Sequence, residues 1–289
     1  SIDTLPMETR KTYNKKAFSF VDLEKNDTTV RWYLSEIVRN NSDLNDSFSY
    51  YQLSKIHLKK AIEKNDTLNL ARFNRYRAGF HKSITKLYDS ASYYYKKSEE
   101  MYSRTNDHKG LLTIYLNQGR VQLACNDFLG SELSTTKAYK IFKDWKLYSK
   151  EIEINNQYGN IYTSMAKYDL AIKYHNKAYL AALKLNNRYS KNGDFFIGTS
   201  LNNIGNNYKE IKDYQRALFY FDKALSYKNE LKKDILLKAF LLNNSGFCKL
   251  QLNNVEKSKI DFEKAVKIFD SLKIKDEESL SRMYLSNFY

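Results

Sequence analysis

Apolar positions recur along the chain at helical spacing, interrupted by short polar pairs. In the stretch "LNNIGNNYKEIKDYQRALFYFDKAL", residues 201 to 225, Leu201, Ile204 and Tyr208 fall on one side of a helix. Lys212 and Asp213 break the pattern. Ala217, Phe221 and Ala224 then resume it at i, i+4 and i+7. The pattern predicts two antiparallel helices joined by a tight turn. Asparagine and glycine are poor helix formers, yet Asn202, Asn203, Gly205, Asn206 and Asn207 all lie in the first helix. Something beyond local propensity must hold it.

The same spacing recurs. With Gly205 as origin, an aromatic residue stands nine positions on and small residues stand twelve and nineteen positions on. Gly79, Gly119, Gly159 and Gly246 give the same result, so five glycines mark one pattern, separated by 40, 40, 46 and 41 residues. Position nine is Tyr88, Phe128, Tyr168, Tyr214 or Val255, and positions twelve and nineteen are always Ala or Ser. The physical reading is a repeated hairpin with small residues where helices cross closely and an aromatic plug at the open end. Neither helix can bury its stripe alone, so hairpins must stack. Gly205 is expected where a neighbouring helix leaves no room for a side chain.

These residues resemble the tetratricopeptide repeat family: Leu201, Ile204-Gly205, Tyr208, Ala217, Phe221 and Ala224 follow its pattern, as do Tyr158-Gly159, Tyr162, Ala171 and Ala178. The resemblance implies an all-α, right-handed superhelical solenoid of antiparallel helix hairpins. We expect repeats over 72–111, 112–151, 152–197, 198–238 and 239–276. Residues 1–71 would form an N-terminal cap with a degenerate helical hairpin, and 277–289 the first helix of a further, truncated repeat. The period exceeds the family's usual one, implying lengthened second helices. The insert "NNRYSKNGDFFIG", residues 186–198, is the strongest loop signal. In style and composition the array is similar to the sensor regions of Bacteroidetes membrane regulators, which precede a membrane helix and a histidine kinase or helix-turn-helix output domain. Longer repeats also occur in cytoplasmic peptide-pheromone receptors. The first resemblance implies an output domain beyond residue 289 and a periplasmic rather than cytoplasmic setting. Ser1, in place of an initiator methionine, fits removal of an upstream segment.

Composition agrees with helices. The chain has 289 residues, one proline and nine glycines, too few turn formers for a sandwich or barrel. No run of about 18 apolar residues is present. A net charge of +15 permits nucleic acid, anionic membrane or an acidic protein as partner. The basic residues are dispersed, which makes nucleic acid the less expected one. Homo-oligomerisation stays open.

No catalytic motif stands out, and we expect no enzyme, metal site or cofactor. Cys125 and Cys248 lack the spacing of a metal site. His57, His81, His108 and His175 are isolated, and His175 occupies a ring position of the repeat, so it reads as a packing residue. Glu99-Glu100 and Glu277-Glu278 are sequence neighbours, which on a helix diverge.

The resemblance implies that first helices line a concave groove. Side chains at −3, −2, +1 and +4 from each glycine would face it. The candidate binding residues are Tyr76, Arg77, Phe80, Asn117, Arg120, Asn156, Asn160, Asn202, Asn206, Lys209, Asn243 and Phe247, with Asn244 beside them. Amides offer donors and an acceptor, suited to the backbone of an extended peptide or protein segment. Asparagine at −2 also serves to hold adjacent helices together, and both readings stand. Arg72, Arg75, Arg77, Lys82 and Lys86, with Tyr76 and Phe80 interleaved, form either a solvated cationic face or a surface for an acidic peptide or stacked bases.

Overall fold

In the computed structural model the described residues are 7–43, 47–189, 193–227 and 234–286, and all regular structure among them is helical. The chain is an all-α array of antiparallel helix hairpins, divided into two compact units, Ser1–Leu147 and Tyr148–Tyr289.

The first unit contains α1 (Met7–Ser19), α2 (Thr28–Asp43), α3 (Ser47–Glu63), α4 (Thr67–Phe80), α5 (Tyr88–Tyr102), α6 (His108–Ala124) and α7 (Phe128–Asp144). The second contains α8 (Glu151–Ser164), α9 (Tyr168–Tyr189), α10 (Gly193–Glu210), α11 (Tyr214–Leu225), α12 (Ile235–Gln251), α13 (Val255–Ser271) and α14 (Lys275–Ser286). Every second helix begins on the residue nine positions after its glycine: Tyr88, Phe128, Tyr168, Tyr214 and Val255. The four aromatics there are half-buried, as a plug requires, but Val255 is 46% exposed and plugs nothing.

Five helix starts are capped by an aspartate. Asp66, Asp107, Asp127, Asp213 and Asp234 each accept a hydrogen bond from the backbone N–H three residues on, at 2.7–3.0 Å. This satisfies one donor that a helix leaves free at its start. Helix ends are closed by residues with positive φ: Asn65, Lys86, Asn126, Lys146, Ala166, Lys212, Asn253 and Lys273. At the α6–α7 turn Asp127 N–H donates to Gln122 O at 2.8 Å and Asn126 N–H to Leu123 O at 3.0 Å. The α8–α9 and α10–α11 turns repeat this pair of bonds. It is the Schellman closure, usually built on glycine.

The repeat glycines mark a ring-and-slot contact. A Cβ on Gly205 would come within 2.6 Å of the Phe221 ring, and one on Gly246 within 3.1 Å of Phe262. The neighbouring helix thus leaves no room at Gly205, as expected, and it does so through one ring. What excludes a side chain is the ring sixteen residues on, from the partner helix of the same hairpin. Small residues complete the seam: Ser131 Oγ donates to Gly119 O at 2.7 Å and Ser258 Oγ to Gly246 O at 2.8 Å.

The first hairpin departs from this register. Residues His81–Thr85 form a π turn, and Leu87 N–H reaches back six residues to His81 O. One extra residue is absorbed before α5 begins. Ala78, fully buried, therefore takes the slot held by glycine elsewhere. Gly79 is half-exposed, and a Cβ there would meet only the Tyr95 hydroxyl, at 3.9 Å. Phe80, 1% exposed, then matches Val121, Ile161, Asn207 and Cys248, all at or below 1%.

Two further expectations are revised. The boundaries drawn at 72, 112, 198 and 239 fall inside α4, α6, α10 and α12, because each first helix starts earlier than its glycine pattern suggests. The insert at 186–198 is no loop over most of its length: residues to Tyr189 continue α9, and α10 starts at Gly193. Residues 190–192 lie outside the described ones. α9, at 22 residues, fits the lengthened second helix, whereas α11 has 12.

Candidate functional site

In the second unit α8, α10, α12 and α14 present one face to a groove of about 760 Å³. That size is within the range of ligand sites. Helical spacing places Asn206, Lys209 and Glu210 of α10 opposite Phe240, Asn243, Asn244 and Phe247 of α12, with Glu277, Leu280 and Tyr284 from α14. Tyr168 and Tyr214, the first residues of α9 and α11, close one side.

Polar geometry is tightly set. Lys209 Nζ donates to Asn244 Oδ1 at 3.0 Å and stands 5.8 Å from the centre of the Phe247 ring. Asn244 Nδ2 lies 3.4 Å from Asn202 Oδ1. Asn243 is buried and accepts from Ser281 Oγ at 2.9 Å. Thr163, at the groove wall, donates its Oγ1 hydrogen to Asn207 Oδ1 at 2.9 Å, and Asn207 Nδ2 donates to Asn203 O at 2.8 Å. Asn206 differs: its Oδ1 is buried and has no hydrogen-bond partner among the described residues. The aromatic wall is continuous, since Phe247 contacts both Tyr214, at 6.0 Å between ring centres, and Tyr284, at 5.5 Å. Two lysines, Lys209 and Lys212, and two glutamates, Glu210 and Glu277, are among the lining residues.

The structure thus brings together Asn206, Lys209, Asn243 and Phe247 from the expected residues. Asn156, Asn160 and Asn202 are not among the lining residues. Asn160 is exposed, and Asn156 is tied to His175, whose Nδ1 lies 3.1 Å from Asn156 Oδ1. Burial holds His175 at a pKa of about 4, which suits a neutral packing ring. Tyr168, Tyr214, Phe240, Leu280 and Tyr284 line the groove as well, outside the −3, −2, +1 and +4 positions of the glycine count. The recurring aromatic nine positions after the glycine was the available signal for two of them.

In the first unit Tyr76 and Phe80 are corrected. Both are buried in the cluster that joins α2, α3 and α4, and Phe80 stacks on Tyr50 with ring centres 4.4 Å apart. For Phe80 the π turn is the reason, because it rotates α4 by one residue relative to α5; Tyr76 stays at a groove position of the shifted register and is buried by the packing of α2 and α3 on α4. Arg77 is likewise turned from the expected face. Its guanidinium lies 5.3 Å from the Tyr51 ring of α3 and 5.5 Å from the Tyr94 ring of α5. Asn117 and Arg120 stay together on α6, with Arg120 Nη1 donating to Asn117 Oδ1 at 3.1 Å.

Among the described residues no group of His, Cys, Asp and Glu is placed to hold a metal ion, and no helix is long and apolar enough to cross a membrane. The Cys248 thiol is pushed up to about 11 by burial.

Models of the tetratricopeptide repeat match residues 151–230 and 241–271. No curated protein sequence matches the chain. Among solved structures, the aspartyl phosphate phosphatase F of Bacillus subtilis superposes with a TM-score of 0.67 at 15% identity, over 99% of this chain and 76% of that one. NprR in complex with its cognate peptide NprX gives 0.66 at 15% identity, over 98% and 80%. The Rap conjugation gene regulator of plasmid pLS20, in complex with the Phr* peptide, gives 0.66 at 18% identity, over 94% and 78%. At these identities the likeness is one of fold.

Proposed function

We propose that this chain is a non-enzymatic binding module that takes an extended peptide or protein segment along the first-helix face of its second unit. The observation that carries the reading is Asn206. Its amide oxygen is buried at the groove without a hydrogen-bond donor, a state that costs about 1–3 kcal/mol. A turn of the amide toward the groove would bring it within reach of a backbone N–H from a bound segment. Lys209, fixed by Asn244, offers a second polar contact, and the wall of Tyr214, Phe247 and Tyr284 offers a surface for one apolar side chain. Support also comes from the peptide-bound relatives in fold.

In this reading the module is the sensor or regulatory part of a bacterial signalling or transcription-regulating protein. Its kinase or helix-turn-helix output lies outside this chain, and the array sits in the periplasm. The composition of the repeats supports that setting. A cytoplasmic peptide-responsive regulator is the second reading, favoured by the NprR and plasmid Rap structures. Protease digestion of intact spheroplasts separates the two: cleavage of the native repeat region supports the first, protection the second.

The binding claim is tested by selecting peptides from a displayed random library on the purified chain. Selected peptides should bind about tenfold more weakly to the Asn206→Ala, Asn244→Ala double variant at unchanged helix content. Equal affinity for the variant would sink the reading.

A further inference from the structure

We propose that the second-unit groove selects segments carrying a basic and an acidic side chain about three residues apart. The inference rests on the peptide reading of that groove and names what the segment must contain. The basic group lies at Glu277, the acidic group at Lys209 and Lys212, and apolar side chains lie between them.

The polarity follows from how the first helices are set side by side. α12 and α14 run in the same direction. Asn243 meets Ser281 at 2.9 Å, and one turn on Phe247 meets Tyr284, with ring centres 5.5 Å apart. One turn back, Phe240 and Glu277 line the opposite end of the groove. Glu277 thus lies about 10 Å along the helix axis from Tyr284. Lys209 Nζ stands 5.8 Å from the centre of the Phe247 ring, which places it at the Tyr284 end. Lys212 closes the α10–α11 turn with φ of 62°. It lines the groove just before Tyr214, whose ring meets Phe247 at 6.0 Å, so it belongs to the same end.

The groove therefore has ends of opposite charge. At the start of α14 the Glu277 carboxylate makes no hydrogen bond or ion pair among the described residues. Its neighbour Glu278 is paired with Arg282 at 2.7 Å. At the other end Lys209 and Lys212 outnumber Glu210. Acids near helix starts and bases near helix ends suit each helix dipole. Here the same placement also sets a field along the groove. Glu277 is half-buried, where attraction to an opposite charge is stronger than on open surface. An extended chain advances about 3.3 Å per residue, so about three residues span the two ends. Between them Phe240, Leu280 and Phe247 offer apolar contact. A segment with its charges reversed end for end would set like against like.

Displayed random octapeptides are selected on the full chain and, separately, on its Glu277→Lys variant. The parent should enrich peptides with Lys or Arg about three residues from Asp or Glu. On Glu277→Lys the enriched basic residue should give way to an acidic one. A parent-selected peptide should bind about tenfold more weakly to Glu277→Gln, and replacing its basic residue by norleucine should weaken binding to the parent equally. Both changes together should cost no more than either alone. The norleucine comparison uses the unaltered chain, so it decides the matter even if the Glu277 variants fail to fold. Selected peptides that need Asn206 and Asn244 yet carry no basic residue, or lose nothing with norleucine, would overturn this inference and leave the groove reading standing. Selected peptides that bind the Asn206→Ala, Asn244→Ala variant as well as the parent would overturn both.

Discussion

His175 and Asn156 join the two helices of the α8–α9 hairpin: the imidazole Nδ1 stands 3.1 Å from the amide Oδ1, and the ring fills the slot over Gly159. Phe221 and Phe262 fill the same slot over Gly205 and Gly246. A histidine thus does a phenylalanine's packing while keeping one polar contact.

That substitution has a pH consequence. His57 and His175 are both held near a pKa of about 4 by burial, against about 6.5 in an unfolded chain. The unfolded state therefore binds more protons between these values. Stability is complete above pH 6.5 and is lost as pH falls toward 4, by up to about 3 kcal/mol per histidine. Urea midpoints measured between pH 7.5 and 4.5 should fall accordingly.

Replacing His175 by Phe should remove one of the two most strongly shifted histidines, leaving His57 and the less buried His81, which burial and Arg77 shift the same way. We expect stability at pH 7.5 within about 1 kcal/mol of the parent, because ring shape is conserved. The fall below pH 6.5 should be clearly shallower, with the share of His57 and His81 remaining. An unaltered pH profile in His175→Phe would refute the assignment.

The glycines should not respond alike. Gly205→Ala drives a methyl into the Phe221 ring, 2.6 Å away, and should cost about 1–3 kcal/mol by overpacking. Gly79→Ala meets nothing closer than 3.9 Å and should gain about 0.5–1 kcal/mol from helix propensity. Thermal denaturation of the two variants should shift in opposite directions.

Turn residues offer a further test. Ala166 has φ of 54° and Lys212 of 62°, a region that costs a side-chain-bearing residue about 1–2 kcal/mol relative to glycine. Ala166→Gly and Lys212→Gly should each raise the melting temperature by a few degrees (about 2–4 °C per kcal/mol in proteins of 150–250 residues).

Much of the fold was legible in the glycine pattern, because slot, ring and small residues sit at fixed separations in a rigid hairpin. The start of every second helix followed from one count. The first hairpin was misread for a physical reason. A π turn adds a residue inside a helix and leaves no gap in the period, and Gly79 with Ala78 offers two small residues in succession. Arg77 and Phe80 fall one position off the glycine count as a result, whereas Tyr76 is buried by the docking of α2 and α3 on α4. Asparagine and glycine content signals a loop at 186–198, yet α9 and α10 extend into it, since local propensity is a weak prior. The groove was legible in part. Asn206 and Lys209 followed from helical spacing, whereas the α14 wall depends on how a further helix docks, which no spacing within one repeat encodes.

The π turn has one more consequence. Each residue inserted in a helix turns the preceding segment by about 100°. A one-residue insertion at 81–85 thus re-addresses the whole of α4 while α5 and its packing stay in place. For an array of this design, the smallest heritable change of surface is an indel within a helix. Substitution edits one contact at a time; a single added codon exchanges an entire row.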